Sequence, residues 1–104
     1  MHYIAADFGA GSGRVMVGNL SDGKLSLEEI HRFPNRQIKA GNHFYWDFLS
    51  LLQELKTGIE LAAKKYKDIA GIGIDTWGVD FGLLDEKGNL LGNPVAIGTG
   101  VWPV

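Results

Sequence analysis

Asp7-Phe8-Gly9-Ala10-Gly11-Ser12-Gly13-Arg14 sets an acid at the end of one apolar run and an arginine at the start of the next, with three glycines between them. Tyr3 to Phe8 reads as a short apolar strand entering the glycine cluster. Arg14 to Leu20 reads as the strand leaving it. Glycines let a backbone approach a ligand closely. Consecutive amides in such a turn form a nest suited to phosphate oxygens. Ser12 adds a hydroxyl donor and Arg14 a charged fork. Asp7 would repel phosphate directly, so its natural partner is a hydrated Mg2+ bridging to a nucleotide. The stretch is no P-loop, which needs Gly-Lys-Ser/Thr opening a helix. The strand-like continuation also excludes a dinucleotide-binding fingerprint. Taken alone, the stretch is also readable as a plain glycine-rich hairpin, with Arg14 as a surface ion-pair partner.

Outward from this turn, Ser21-Asp22-Gly23-Lys24 is a hairpin turn, because Asp-Gly tolerates the positive φ such turns need. Leu25 to Phe33 continues as a third strand with a bulge near Glu28-Glu29, ended by Pro34. Asn35 to Tyr45 reads as a loop marked by Gly41-Asn42, with Phe44-Tyr45-Trp46 stapling onto the core. Asp47 is a good N-cap. Behind it Phe48, Leu51, Leu52, Leu55, Ile59, Ala62, Ala63 and Tyr66 recur at helical spacing. Lys64, Lys65 and Lys67 form a solvated helix end suited to its negative dipole. Ile69 to Thr76 has the apolar character of a buried strand. Val79 to Leu84 reads as another strand, followed by a turn over Asp85 to Asn89 and a short return at Leu90-Leu91. His31 and His43 have no partner at diagnostic spacing and read as plain structural or surface residues.

Three antiparallel strands, a helix and further strands make an α/β fold with a mixed sheet, N-terminal β-hairpins and one covering helix. This is the arrangement of the ribonuclease H-like, actin-like ATPase core, here as an incomplete domain.

A second motif follows the helix. Gly73-Ile74-Asp75-Thr76-Trp77-Gly78-Val79-Asp80-Phe81 runs a strand into a Trp-Gly bend. Gly78 can bring backbone close to a ligand, and Trp77 can stack on the apolar face of a sugar. Asp75 and Asp80 can hydrogen-bond hydroxyls or water. The structural alternatives are core packing for Trp77 and turn capping for the two aspartates.

The totals set limits on function. The chain has 104 residues, enough for one hydrophobic core, and a formal charge of -2, which argues against a nucleic-acid partner. It has no cysteine, which excludes disulfides and thiolate metal sites and fits a reducing, cytoplasmic setting. No apolar run approaches the ~20 residues needed to span a bilayer. The Met1-His2-Tyr3-Ile4 start has no basic region of a secretory signal.

Four stretches together resemble the N-terminal segment of the FGGY family of carbohydrate kinases. They are Asp7 to Met16, Glu29 to Phe33, Trp46-Asp47 and Gly71 to Phe81. The Asp75-Thr76-Trp77-Gly78-Val79-Asp80 run is similar to the branch that acts on L-rhamnulose. The resemblance covers about Tyr3 to Val95, so residues 1–95 would be part of an N-terminal actin-like sugar-kinase domain. It implies ATP-dependent phosphorylation of L-rhamnulose at its 1-hydroxyl, within two actin-like domains around a cleft. Ala10, Gly11, Ser12, Gly13 and Arg14 would face the ATP phosphates. Asp7 would sit near Mg2+ through water. Gly78 would contact the ketose through its backbone, with Trp77 and Asp75 close by. The family's catalytic base, an aspartate, would lie beyond this chain, so no residue here is assigned to catalysis and the chain alone would be inactive. Residues 96–104 depart from the family's aromatic-Arg-Asp continuation and read as an atypical tail.

Two rivals stand beside this reading. A metal-dependent nuclease on the same core would gather Asp7, Asp75 and Asp80 around two Mg2+ ions. The acidic balance and the Ser-Gly-Arg hairpin argue against it. A non-enzymatic fragment or interaction module would expose an apolar sheet edge and self-associate through it.

Overall fold

Strand β1 (His2–Phe8) is the hub of a four-stranded sheet ordered β3-β2-β1-β6. The computed structural model describes residues 1–97, so the tail beyond Ile97 lies outside the described residues. β2 (Ser12–Ser21) pairs antiparallel with β1, and β3 (Lys24–Pro34) pairs antiparallel with β2. Their turn carries Asp22 at φ 55° and Gly23 at φ 74°, as a two-residue hairpin requires. The expected bulge is present one residue later than Glu29. Val15 faces His31 and Met16 faces Glu29, leaving Ile30 as the extra residue.

Helix α1 (Phe48–Lys65) starts at Asp47, whose side chain accepts from the Ser50 amide at 3.3 Å. Its apolar stripe lies on the β1–β3 face. Ile4 and Ala6 of β1, Val15 and Val17 of β2, Phe33 of β3 and Leu51 and Ala62 of α1 form the core. Gly58 is the closest point of approach, directly over Val15. β6 (Ile69–Asp75) then returns parallel to β1, as a strand–helix–strand crossover.

Three expectations need correction. Asn35 to Tyr45 is not a loop. β4 (Gln37–Ala40) and β5 (His43–Trp46) form a second, two-stranded sheet. Gly41-Asn42 is its turn, with Gly41 at φ 61°, so the residues read as loop markers close a hairpin. Val79 to Leu84 is not a strand. Among the described residues, only an isolated bridge between Leu84 and Leu90 forms there, beside a bond from the Leu91 amide to the Leu83 carbonyl. β6 is not buried. It lies at the sheet edge, with Ile72 and Ile74 53% and 59% exposed. An all-apolar run signals burial on both faces only where neighbours flank the strand, and among the described residues β6 has β1 on one side only.

A polar cluster ties the helix end to β3. Lys65 and the Tyr66 hydroxyl both donate to the Glu28 carboxylate. Lys65 first, then Tyr66, holds Glu28 below the ordinary glutamate value, while Glu28 pushes Lys65 and Tyr66 up. The Glu28 contribution is in place above about pH 4 and lost as pH falls through its lowered value. Those of Lys65 and Tyr66 are in place below about pH 10 and lost as pH rises through their raised values. The urea midpoint should therefore fall at both extremes. Glu28→Gln should flatten both limbs, and salt should shrink them, because the cluster is exposed.

Candidate functional site

The two motifs meet at one end of the sheet. β1 and β6 run parallel, with Asp7 opposite Asp75 at their carboxyl ends. The glycine hairpin leaves the first strand and the Trp-Gly bend leaves the second. In open α/β sheets, ligands bind outside the carboxyl ends of the strands.

The hairpin is tightly closed. The Gly9 amide donates to the Ser12 carbonyl at 2.9 Å. Asn35, 5% exposed, donates its side-chain amide to the Gly9 carbonyl at 2.8 Å, and its backbone amide to the Gly11 carbonyl at 3.1 Å. Sequence reasoning missed Asn35. Its only signal is its place directly after Pro34. At the exposed tip, the Ala10 and Gly11 amides make no backbone hydrogen bond among the described residues. They are free donors for an anion.

Arg14 lies directly across from Asp7 in the β1–β2 register, and its guanidinium donates to the Asp7 carboxylate and, at 3.1 Å, to the Ser12 hydroxyl. The guanidinium is thus held at the base of the hairpin. Its buried Nε has no partner among the described residues. Asp7 stays partly exposed, so the strand end keeps a hard oxygen donor of the kind Mg2+ takes. The residues present therefore fit a water-mediated Mg2+ contact.

The bend is built around Asp80. One oxygen of its carboxylate accepts from the Trp77 indole at 2.6 Å and from the Trp46 indole at 2.7 Å. The other accepts from the Ile97 amide at 2.7 Å. The two indole rings lie 4.4 Å apart. Trp77 is therefore part of the packing, as its structural alternative holds, while still lining an apolar cleft of about 360 Å³ with Phe8, Ile74 and Phe81. Asp75 and Gly78 are exposed beside it. Asp80 is committed to the indoles, and no group of three or more His, Cys, Asp or Glu suited to a metal occurs among the described residues. The three-carboxylate array of a nuclease is thus not assembled there.

The glycines differ in what holds them, and Gly73 and Gly92 are as open as Gly11 and Gly78. A Cβ on Gly13 would run into the Phe33 ring, and one on Gly9 would sit 2.9 Å from the Ser12 carbonyl oxygen. Packing demands both. Gly11 and Gly78 have nothing within 4 Å of where a Cβ would stand, and neither has positive φ. Nothing in the fold requires glycine at these two positions, which are those expected to face phosphate and sugar.

No protein-family model matches the chain. It is 52% identical over 95 residues to a rhamnulokinase of Bacteroides thetaiotaomicron, covering 91% of this chain and 20% of that protein. Against a rhamnulokinase of Bacillus subtilis the identity is 46% over 91 residues, covering 88% of this chain and 19% of the relative. Among solved structures, the fold matches a ligand-bound xylulose kinase from Lactobacillus acidophilus with a TM-score of 0.74 at 17% identity, over 90% of this chain and 19% of that one. A gluconate kinase from the same organism matches with the same TM-score, identity and coverage. The chain spans about a fifth of the length of these relatives. Its partial mixed sheet with one covering helix is a piece of the actin-like sugar-kinase fold. By sequence the chain is similar to a segment of the rhamnulokinases, and by fold it resembles a segment of the FGGY-type sugar kinases.

Proposed function

We propose that this chain supplies the phosphate grip and part of the sugar wall of an ATP-dependent kinase that converts L-rhamnulose to L-rhamnulose 1-phosphate. The observation that carries this reading is the meeting of the two motifs at the carboxyl ends of β1 and β6. Residues 1–95 belong to the N-terminal actin-like domain of such an enzyme, acting in the cytoplasm. The Ala10 and Gly11 amides and the Ser12 hydroxyl hold phosphate oxygens of ATP, with Gly13 keeping the turn tight against Phe33. Arg14 pairs with Asp7 and donates to the Ser12 hydroxyl, bracing the base of the grip. Gly78 offers its backbone to the ketose, with Trp77 and Asp75 beside it. When bound through water at Asp7, Mg2+ neutralises charge on the triphosphate. The base that deprotonates the sugar hydroxyl lies outside this chain, and closure of a second domain would exclude water.

Two measurements on the chain itself test this. With ATP, Mg2+ and L-rhamnulose it should form no sugar phosphate, and measurable turnover would refute the missing-base reading. Titration with Mg-tripolyphosphate, followed by amide NMR, should move Ala10, Gly11, Ser12 and Gly13. Gly11→Ala should change stability by no more than about 0.5 kcal/mol, since the side chain enters open space. It should nonetheless abolish that response. An unchanged response would show that no ligand approaches the tip.

A further inference from the structure

The Trp77–Asp80 bend contains a conformation that its own residues disfavour. Val79 has φ 69°. A β-branched side chain in the left-handed region is a genuine outlier, and such strain persists only where the surroundings over-determine it. Here the surroundings are visible. Asp80, the next residue, is held by the Trp46 and Trp77 indoles and by the Ile97 amide. Trp46 is 2% exposed and anchored at the end of β5, where its amide donates to the Pro94 carbonyl at 2.9 Å. The brace thus runs from a buried indole, through one carboxylate, to both ends of a bend whose exposed residues are Gly78 and Val79. Nothing in the packing rewards this shape, since a Cβ at Gly78 would meet nothing within 4 Å and Val79 is 70% exposed.

We infer that Asp80 is a positioning residue, which uses the Trp46–Trp77 indole pair to hold the strained Gly78–Val79 peptide in the one orientation that a sugar hydroxyl can meet. The inference rests on the sugar-kinase reading and adds a residue to it. Asp80 does not itself touch the sugar. Its carboxylate is spent on indole and backbone donors, and its effect passes through the peptide it fixes. Without the brace, Val79 relaxes toward negative φ, and the Gly78 peptide rotates with it.

The test is amide NMR of the full chain titrated with L-rhamnulose, with Mg-tripolyphosphate as a separate probe. In the unaltered chain the Gly78 and Val79 amides should shift saturably with the ketose. In Asp80→Ala, at temperatures where the variant is folded, the ketose response should weaken by at least about tenfold. The hairpin response to tripolyphosphate should stay as it was. Asp80→Asn should recover part of the loss, because its amide oxygen can serve both indoles while its NH2 cannot accept from the Ile97 amide. If Asp80→Ala does not fold, Trp46→Phe decides. It keeps a ring in the buried slot, removes one indole donor, and should weaken the ketose response by about threefold. A folded variant with unchanged ketose response would overturn the positioning role. A ketose-silent bend beside a responsive hairpin would overturn this inference and leave the kinase reading standing. Silence of both would bring down the kinase reading, and this inference with it.

Discussion

Asp80→Ala should lower folding stability by about 3 kcal/mol. Among the described residues, the carboxylate accepts from two indoles and one backbone amide at 2.6 to 2.7 Å. Removing it leaves the buried Trp46 indole with a donor and no acceptor inside the core, at a cost of about 1–3 kcal/mol for that group alone. The half-buried Trp77 indole regains water more easily, so its share is smaller. Release of Val79 strain returns about 1 kcal/mol and keeps the sum from rising further. Urea unfolding followed by tryptophan fluorescence would report it, since both rings change surroundings. A loss under about 1 kcal/mol would mean that water replaces the carboxylate without penalty.

Gly58→Ala should cost about 2 kcal/mol, against the usual direction for a glycine in a helix. Alanine is the better helix former by about 1 kcal/mol, so an exposed site would gain from the change. Gly58 is buried against β2, and a Cβ there would stand 2.6 Å from the Val15 Cβ. Val15 has no exposure and no room to retreat, with Ile4, Val17 and Phe33 in the same core. The helix must lift or tilt, loosening the layer that fixes the β1–β2 hairpin. A double-mutant cycle with Val15→Ala isolates the contact. The pair should be less destabilised than the two single losses added together. Additive losses would show that the helix does not rest on Val15.

The parts legible in the sequence were those set by local rules. Asp47 and the apolar stripe behind it give the helix, and Asp22-Gly23 gives the hairpin. The glycine turn after Asp7 was legible as a turn, and its hairpin pairing places Arg14 opposite Asp7. What local patterns missed depends on contacts far apart in the chain. The Trp46–Asp80 bond joins residues 34 apart, and the Asn35–Gly9 bond residues 26 apart. Neither leaves a periodic trace. Val79, Phe81 and Leu83 alternate as a strand would, yet each is more than 60% exposed. Alternation records a preference for a pleated surface, and among the described residues no partner strand meets it. β4 and β5 were missed because four-residue strands are too short to show a period, and the Phe44-Tyr45-Trp46 run reads equally well as a staple onto the core.

If residues 1–95 serve, as proposed, as part of a rhamnulose-phosphorylating enzyme, they should function inside a complete one. Exchanging them for the matching segment of the Bacteroides thetaiotaomicron rhamnulokinase tests it most directly. The chimera should phosphorylate L-rhamnulose with kcat/KM within about tenfold of the parent, and Gly11→Val within it should lower that value by at least about a hundredfold. A chimera that folds, binds no ATP and forms no sugar phosphate would show that residues 1–95 do not have this role.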